Sequence, residues 1–140
     1  VIGEFSMRWN LSSDPTFAIS KGSIDQVGCI HTTQGLEFSH VGVIIGDDLR
    51  YENGQVITDF TKRAKTDKSL NGLIGKVKKG DRLAARAVDT IIRNTYRTLM
   101  SRGMKGCYVY CTNHALAEFI RSRITENYES GFPETEGAVK

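Results

Sequence analysis

The 140-residue sequence predicts a three-layer α/β domain, a parallel sheet flanked by helices, and three observations carry that prediction. Residues 39–46 read Ser-His-Val-Gly-Val-Ile-Ile-Gly, and the near-continuous run of Val41, Val43, Ile44 and Ile45 is the pattern of a strand covered on both faces in a parallel sheet. After Gly80-Asp81, a stripe of Ala84, Ala87, Val88, Ile91, Ile92, Thr95, Leu99 and Met100 recurs at helical period. Strand-like and helix-like segments alternate along the chain, as α/β folds require.

Residues 26–31, Gln-Val-Gly-Cys-Ile-His, form a short apolar run expected to be the strand beside residues 39–46. Asp47-Asp48 ends the second strand. Glu52-Asn53-Gly54-Gln55 then supplies turn chemistry inside a polar excursion to about Lys68, with room for short strands. Asp81 is placed to cap the long helix and Gly103 to terminate it. Gly106-Cys-Tyr-Val-Tyr-Cys111 reads as a third strand and residues 113–123 as an amphipathic helix. Beyond Ile124 the chain turns polar and acidic without period, so the expected organisation is one domain over residues 1–124 and a loose tail over 125–140.

A hydrophobic fraction of 39% and a charged fraction of 25% are those of a globular protein, and no apolar run approaches the ~20 residues of a membrane span. No segment resembles a signal peptide. The start Val-Ile-Gly-Glu-Phe, without an initiator Met, suggests a piece of something longer, although a processed or tagged terminus would read the same. Three cysteines do not make the even framework of a disulfide-rich secreted domain, and the default expectation is a reducing cytoplasm without membrane association. Cys107, Cys111 and His114 are spaced like part of a metal site, but a fourth ligand is lacking. Buried structural thiols fit the Tyr-Val-Tyr strand context better, and no metal is expected.

Charge is divided along the chain. Residues 61–110 hold 13 Lys and Arg against 3 Asp and no Glu, a net of +10, whereas residues 1–60 hold 3 basic against 8 acidic residues, a net of −5. Such a basic region suits the phosphates of nucleic acid or nucleotide; a solvated helix surface explains it equally well.

The first constellation with chemistry is His31-Thr32-Thr33-Gln34-Gly35-Leu36-Glu37-Phe38, a polar segment between two apolar strands and so at a sheet edge. Ligands of open α/β sheets bind beyond the carboxyl ends of strands. Gly35 would let backbone approach a phosphate, while the Thr hydroxyls and the Gln34 amide donate hydrogen bonds. A polar connection whose glycine relieves a turn accounts for the same residues.

These residues, followed by Val-Gly-Val-Ile-Ile-Gly, resemble motif V of superfamily 1 helicases. They look most like the branch with a Schlafen-group-3-like helicase domain, with similarity running from about Trp9-Asn10 through Cys111. The resemblance implies the second RecA-like domain of such an enzyme, a P-loop NTPase-like fold lacking the P-loop itself. By the family's pattern Gly35 would approach the γ-phosphate of ATP, Glu37 the ribose hydroxyls, and His31, Thr32 and Thr33 the nucleic-acid side of the cleft.

The second constellation, residues 94–110, resembles motif VI: a helix, a Thr-Arg-like step and a strand. Arg102 matches the arginine finger, with Ser101 in place of the usual Thr. Phosphoryl transfer accumulates charge on the γ-phosphate oxygens, and a planar five-donor guanidinium reaching across a cleft suits that task. A cation favoured at a helix C-terminus is the plain alternative. Arg97, a little over one turn earlier, is a second phosphate contact or a solvated helix residue, and Lys105 ranks below both.

Asp47-Asp48 after an apolar strand imitates a magnesium-holding carboxylate pair, yet no Gly-x-x-x-x-Gly-Lys-Ser/Thr occurs, and Gly72-Leu-Ile-Gly75-Lys76 has the wrong spacing. Turn and capping roles are expected for both. The resemblance places the phosphate-binding elements in a first RecA-like domain of the same parent protein. That domain would hold most of the ATP with its Mg, while this one supplies Glu37 and Arg102, with DNA or RNA lying across both. The alternative is a non-catalytic module that grips nucleic acid or a protein through the basic region, with Tyr96, Tyr108 and Tyr110 available for stacking.

Overall fold

A computed structural model describes residues 4–9, 18–21, 23–33, 35–64 and 67–129. In chain order the elements are β1 (Arg8–Trp9), β2 (Gln26–Val27), β3 (Phe38–Ile45), β4 (Leu49–Glu52), β5 (Gln55–Thr58), α1 (Ile74–Lys78), α2 (Arg82–Met100), β6 (Gly103–Cys111) and α3 (His114–Glu129). The fold is mixed α/β. Among the described residues the strands form three two-stranded sheets, β1-β2 and β3-β6 parallel and β4-β5 antiparallel, rather than one continuous parallel sheet. No helix among these residues is long and apolar enough to cross a membrane.

The β3-β6 pair is the centre. Parallel register sets Val41, Val43 and Ile45 beside Cys107, Val109 and Cys111 on one face. That face packs on α2, whose Val88, Ile92 and Tyr96 join Val43, Ile45, Leu49, Leu70 and Leu116 in the core. Ile92 and Ile45 are 0% and 1% exposed, and burying each stabilises the fold by about 2–3 kcal/mol before chain entropy is counted. The opposite face, with His40, Met104, Tyr108 and Tyr110, stays exposed, so the apolar run of β3 is fully covered on one side only. This corrects the two-faced burial expected of it.

α2 follows its sequence signals. Asp81 accepts hydrogen bonds from the Leu83 and Ala84 amides at 2.9 and 3.1 Å, capping the first turn. The helix stops at Met100, and Gly103 opens β6 rather than terminating the helix. Asn53 and Gly54, at φ 51° and 81°, make the two-residue turn that closes the β4-β5 hairpin. The hairpin is fastened to α3 and α2: Tyr51 stacks on Phe119 with ring centroids 4.4 Å apart, and Thr58 donates to Asp89 at 2.8 Å. Asn113 caps α3 by accepting from the Leu116 amide at 2.8 Å. α3 runs to Glu129 and so takes in the first five residues of the expected tail; residues 130–140 lie outside the described residues.

The strand expected over residues 26–31 shortens to Gln26–Val27, and its partner is β1, not β3. The cause is local. The Cys29 carbonyl accepts from the amides of Thr32 and Thr33 and from both of their hydroxyls, a set of bonds that bends the chain out of any ladder.

Gly103 is required by space. A Cβ there would collide with the Gly106 carbonyl and lie 2.9 Å from Val41 Cγ2. Gly103→Ala is expected to destabilise by about 2 kcal/mol and lower Tm by roughly 5–10 °C. Gly106→Ala should cost less, because the atoms it meets belong to the exposed His40 ring, which can swing away. Thermal melts of the two variants check this ranking, and equal losses would refute it.

Candidate functional site

The two constellations meet at the amino ends of β3 and β6. Phe38 stands opposite Gly103, and the Phe38 amide donates to the Arg102 carbonyl at 2.9 Å. The residues just before each strand, Glu37 and Arg102, are thereby brought side by side from 65 positions apart in the chain. The carboxyl-end rule does not describe this arrangement: the loop leaves β2 but delivers its glutamate to the start of β3.

Arg102 lies in the short turn between α2 and β6, beyond the helix, with its amide donating to the Leu99 carbonyl at 3.2 Å. Its Nη1 donates to the Leu36 carbonyl at a long 3.4 Å, and its Nε is buried without a partner. No carboxylate pairs with it among the described residues. A buried Nε–H without an acceptor is costly, and an acceptor arriving from outside would relieve that cost. The cation at the helix C-terminus is instead Arg97, exposed in the last turn of α2, where the dipole favours it. Lys105 is exposed in β6.

Gly35 has φ +79°, and nothing lies within 4 Å of the place its Cβ would take. Glycine is therefore needed for conformation, and it leaves open space above the loop. Glu37 is exposed, and its carboxylate has no hydrogen-bond or ion-pair partner among the described residues. His31 is exposed in a turn. The hydroxyls of Thr32 and Thr33 are occupied by Cys29, at 3.0 Å each, so their present role is to shape the loop. Gln34 lies outside the described residues.

The carboxyl ends hold different chemistry. Asp47 accepts from the Thr112 hydroxyl at 2.6 Å, a turn role of the kind expected. Asp48 departs from expectation, being 5% exposed and the hub of a buried network. It accepts from Arg63 Nη1 at 3.1 Å and from the Tyr96 hydroxyl, while Arg63 also pairs with Asp67 and reaches the Thr95 hydroxyl at 3.5 Å. The Tyr96 oxygen accepts the Gly46 amide at 3.1 Å. Burial first, and then the hydrogen bond and charge of Asp48, push the Tyr96 phenol well above the ordinary tyrosine range. For Asp67 burial acts upward, but the hydrogen bonds from Ser69 and Arg63 outweigh it and lower its carboxyl. Nothing in the spacing of Asp48, Arg63 and Tyr96 announces this cluster.

Cys107 is exposed, against the expectation of a buried thiol, while Cys111 is half-buried and its thiol is pushed up by that burial. Among the described residues no three His, Cys, Asp or Glu side chains gather as a metal-sized group.

No solved structure matches the chain. An uncharacterized protein of Saccharomyces cerevisiae, YPL245W, is 31% identical over 97 residues, which are 69% of this chain and 20% of the yeast protein. The chain thus spans about a fifth of that relative's length. The family model of the Schlafen group 3 DNA/RNA helicase domain matches residues 1–113, an interval that contains β1 through β6 with Gly35, Glu37 and Arg102, and the chain belongs to that family.

Proposed function

We propose that this chain is the second RecA-like half of an ATP-dependent helicase or translocase-like ATPase. It would close over ATP and Mg held mainly by a first RecA-like domain of the same parent protein. The observation that carries the reading is the Arg102 guanidinium, whose Nε is orphaned and whose Nη1 makes a long bond to Leu36, in a turn whose backbone adjoins the segment that carries Glu37. Its free donors fit the oxygens of a γ-phosphate, the free Glu37 carboxylate fits ribose hydroxyls, and the bare Gly35 leaves room for a phosphate to approach. Membership in a helicase-domain family supports the same roles. Arg97 would be a second phosphate contact, and His31, Thr32 and Thr33 would face the nucleic acid. β3 and β6 would be neighbouring strands of a three-layer RecA-like sheet whose exposed face is covered in the parent protein.

In this mechanism the domain does no covalent chemistry. Closure brings Arg102 to the charge that develops as the terminal phosphoryl group departs, and opening releases it, so nucleotide state sets how the halves grip DNA or RNA.

The test is steady-state ATP hydrolysis by the full-length protein, with and without single-stranded oligonucleotide. Glu37→Ala should raise KM for ATP by about tenfold, the equivalent of one hydrogen bond to a charged group, with kcat changed far less. An unchanged KM would remove Glu37 from the site. The exposed Tyr108 and Tyr110, 72% and 54% accessible on one face of β6, favour a second reading: a binding module on which bases stack. Oligonucleotide binding with no ATP turnover in the full-length protein would decide for that module.

A further inference from the structure

α2 carries Arg82, Arg86, Arg93 and Arg97 at spacings of four, seven and four residues, which at 3.6 residues per turn is one row along the helix. The row runs about 22 Å on the side away from the core residues Ala84, Val88, Ile92 and Tyr96, and all four arginines are exposed. Arg93 is tied to Asp89 at 2.9 Å and to the Val56 carbonyl at 2.7 Å. Arg82, Arg86 and Arg97 have no acidic partner among the described residues. α1 packs against α2, and Lys76, Lys78 and Lys79, all exposed, precede the Gly80 turn into the row.

A merely solvated face would not be built this way. Exposed helix faces mix signs, with acidic residues favoured in the first turn, yet α2 has none there and begins with Arg82. Arg82 and Arg86, four apart, repel each other, and both they and the lysines of α1 oppose the positive end of the α2 dipole. The arrangement weakens the helix it sits on, which signals a role other than stability.

We infer that this row is an auxiliary track for the sugar–phosphate backbone of a nucleic-acid strand, separate from the His31–Thr33 edge of the cleft. The inference rests on the helicase-type reading for its ligand class. The three unpaired guanidinium forks of Arg82, Arg86 and Arg97, with Arg93 held between them by Asp89, match a repeating phosphate better than a folded acidic surface, and the row leads from the α1-α2 turn toward Arg102. Binding there is independent of base sequence and falls steeply with salt.

The experiment compares full-length wild type with the double variant Arg82→Glu, Arg86→Glu, using fluorescence anisotropy of labelled single-stranded RNA and DNA through a salt titration. Loss of two phosphate contacts is expected to weaken binding about tenfold or more and to reduce the slope of log K against log salt by about 1.4. The same variant should melt about 2–4 °C higher, because carboxylates suit the start of α2, so lost binding would not reflect lost folding. An unchanged affinity and slope would make the row a solvated face, as would absence of oligonucleotide binding altogether. Polyglutamate displacing the oligonucleotide equally well, with the same dependence on Arg82 and Arg86, would assign the row to an acidic protein instead. If oligonucleotide-stimulated, Arg102-dependent ATP turnover survives while the row proves inert, the inference fails and the proposed function stands.

Discussion

Arg102→Ala in the full-length protein is expected to lower ATP turnover by about 10³ or more while leaving the melting temperature unchanged or slightly higher. The combination follows from the surroundings of the side chain. Its Nε is buried without a partner and its one bond, to the Leu36 carbonyl, is 3.4 Å long, so truncation removes little that stabilises and relieves an unmet donor. What it would remove, on the proposed function, is the cation that meets developing phosphate charge. Arg102→Lys should restore little activity, because a point charge on a flexible stem does not reproduce a fork reaching several oxygens. Turnover measured beside thermal melts decides the matter: a Tm lowered by several degrees with turnover intact would make Arg102 a structural residue, and the proposed cleft would lose its finger.

The elements the sequence made legible are those whose signals are local. Asp81 and the apolar stripe specified α2, Asn53-Gly54 specified a tight turn, and the runs at 39–46 and 106–111 specified strands, the second of which begins three residues earlier in the structure. The two halves of the candidate site were legible as separate patterns, but their meeting was not, because it depends on the parallel pairing of Phe38 with Gly103. The run at 26–31 misled because two threonines outcompete a ladder for the Cys29 carbonyl, a choice apolar periodicity does not register. The run at 39–46 overstated its cover, since hydrophobicity reports what a face can bury, while the structure shows His40, Tyr108 and Tyr110 unburied opposite α2. The acidic pair Asp47-Asp48 looked alike in sequence and separated in space, one in a surface turn and one in the interior, because only Asp48 finds Arg63 and Tyr96 within reach.

That difference makes Asp48→Ala the most destabilising single change expected here. Asp48 and Arg63 are each 8% exposed at the side chain, so their attraction is little screened, and removing one partner leaves a buried cation. Asp67 still compensates Arg63 in part, which puts the cost near the low end of the range for a broken buried pair, about 3 kcal/mol. Tyr96 adds a dependence on pH with a definite sign. Its phenol is held above the ordinary value of 10.0, so the folded state keeps the proton more tightly than the unfolded chain does. The resulting stability is complete below about pH 10 and is lost as pH rises beyond it. Melts across that range should fall more steeply for wild type than for Tyr96→Phe, and parallel curves would show that the phenol does not titrate between the states. The network ties Asp48 beyond the carboxyl end of β3 to Arg63, Asp67 and the C-terminal half of α2, while Glu37 and Arg102 stand at the amino ends of β3 and β6. Asp48→Ala should therefore lower Tm without altering KM for ATP below the transition, and Arg102→Ala should do the reverse to turnover. A protein in which both variants lost stability and turnover together would have one interdependent core and no separable cleft.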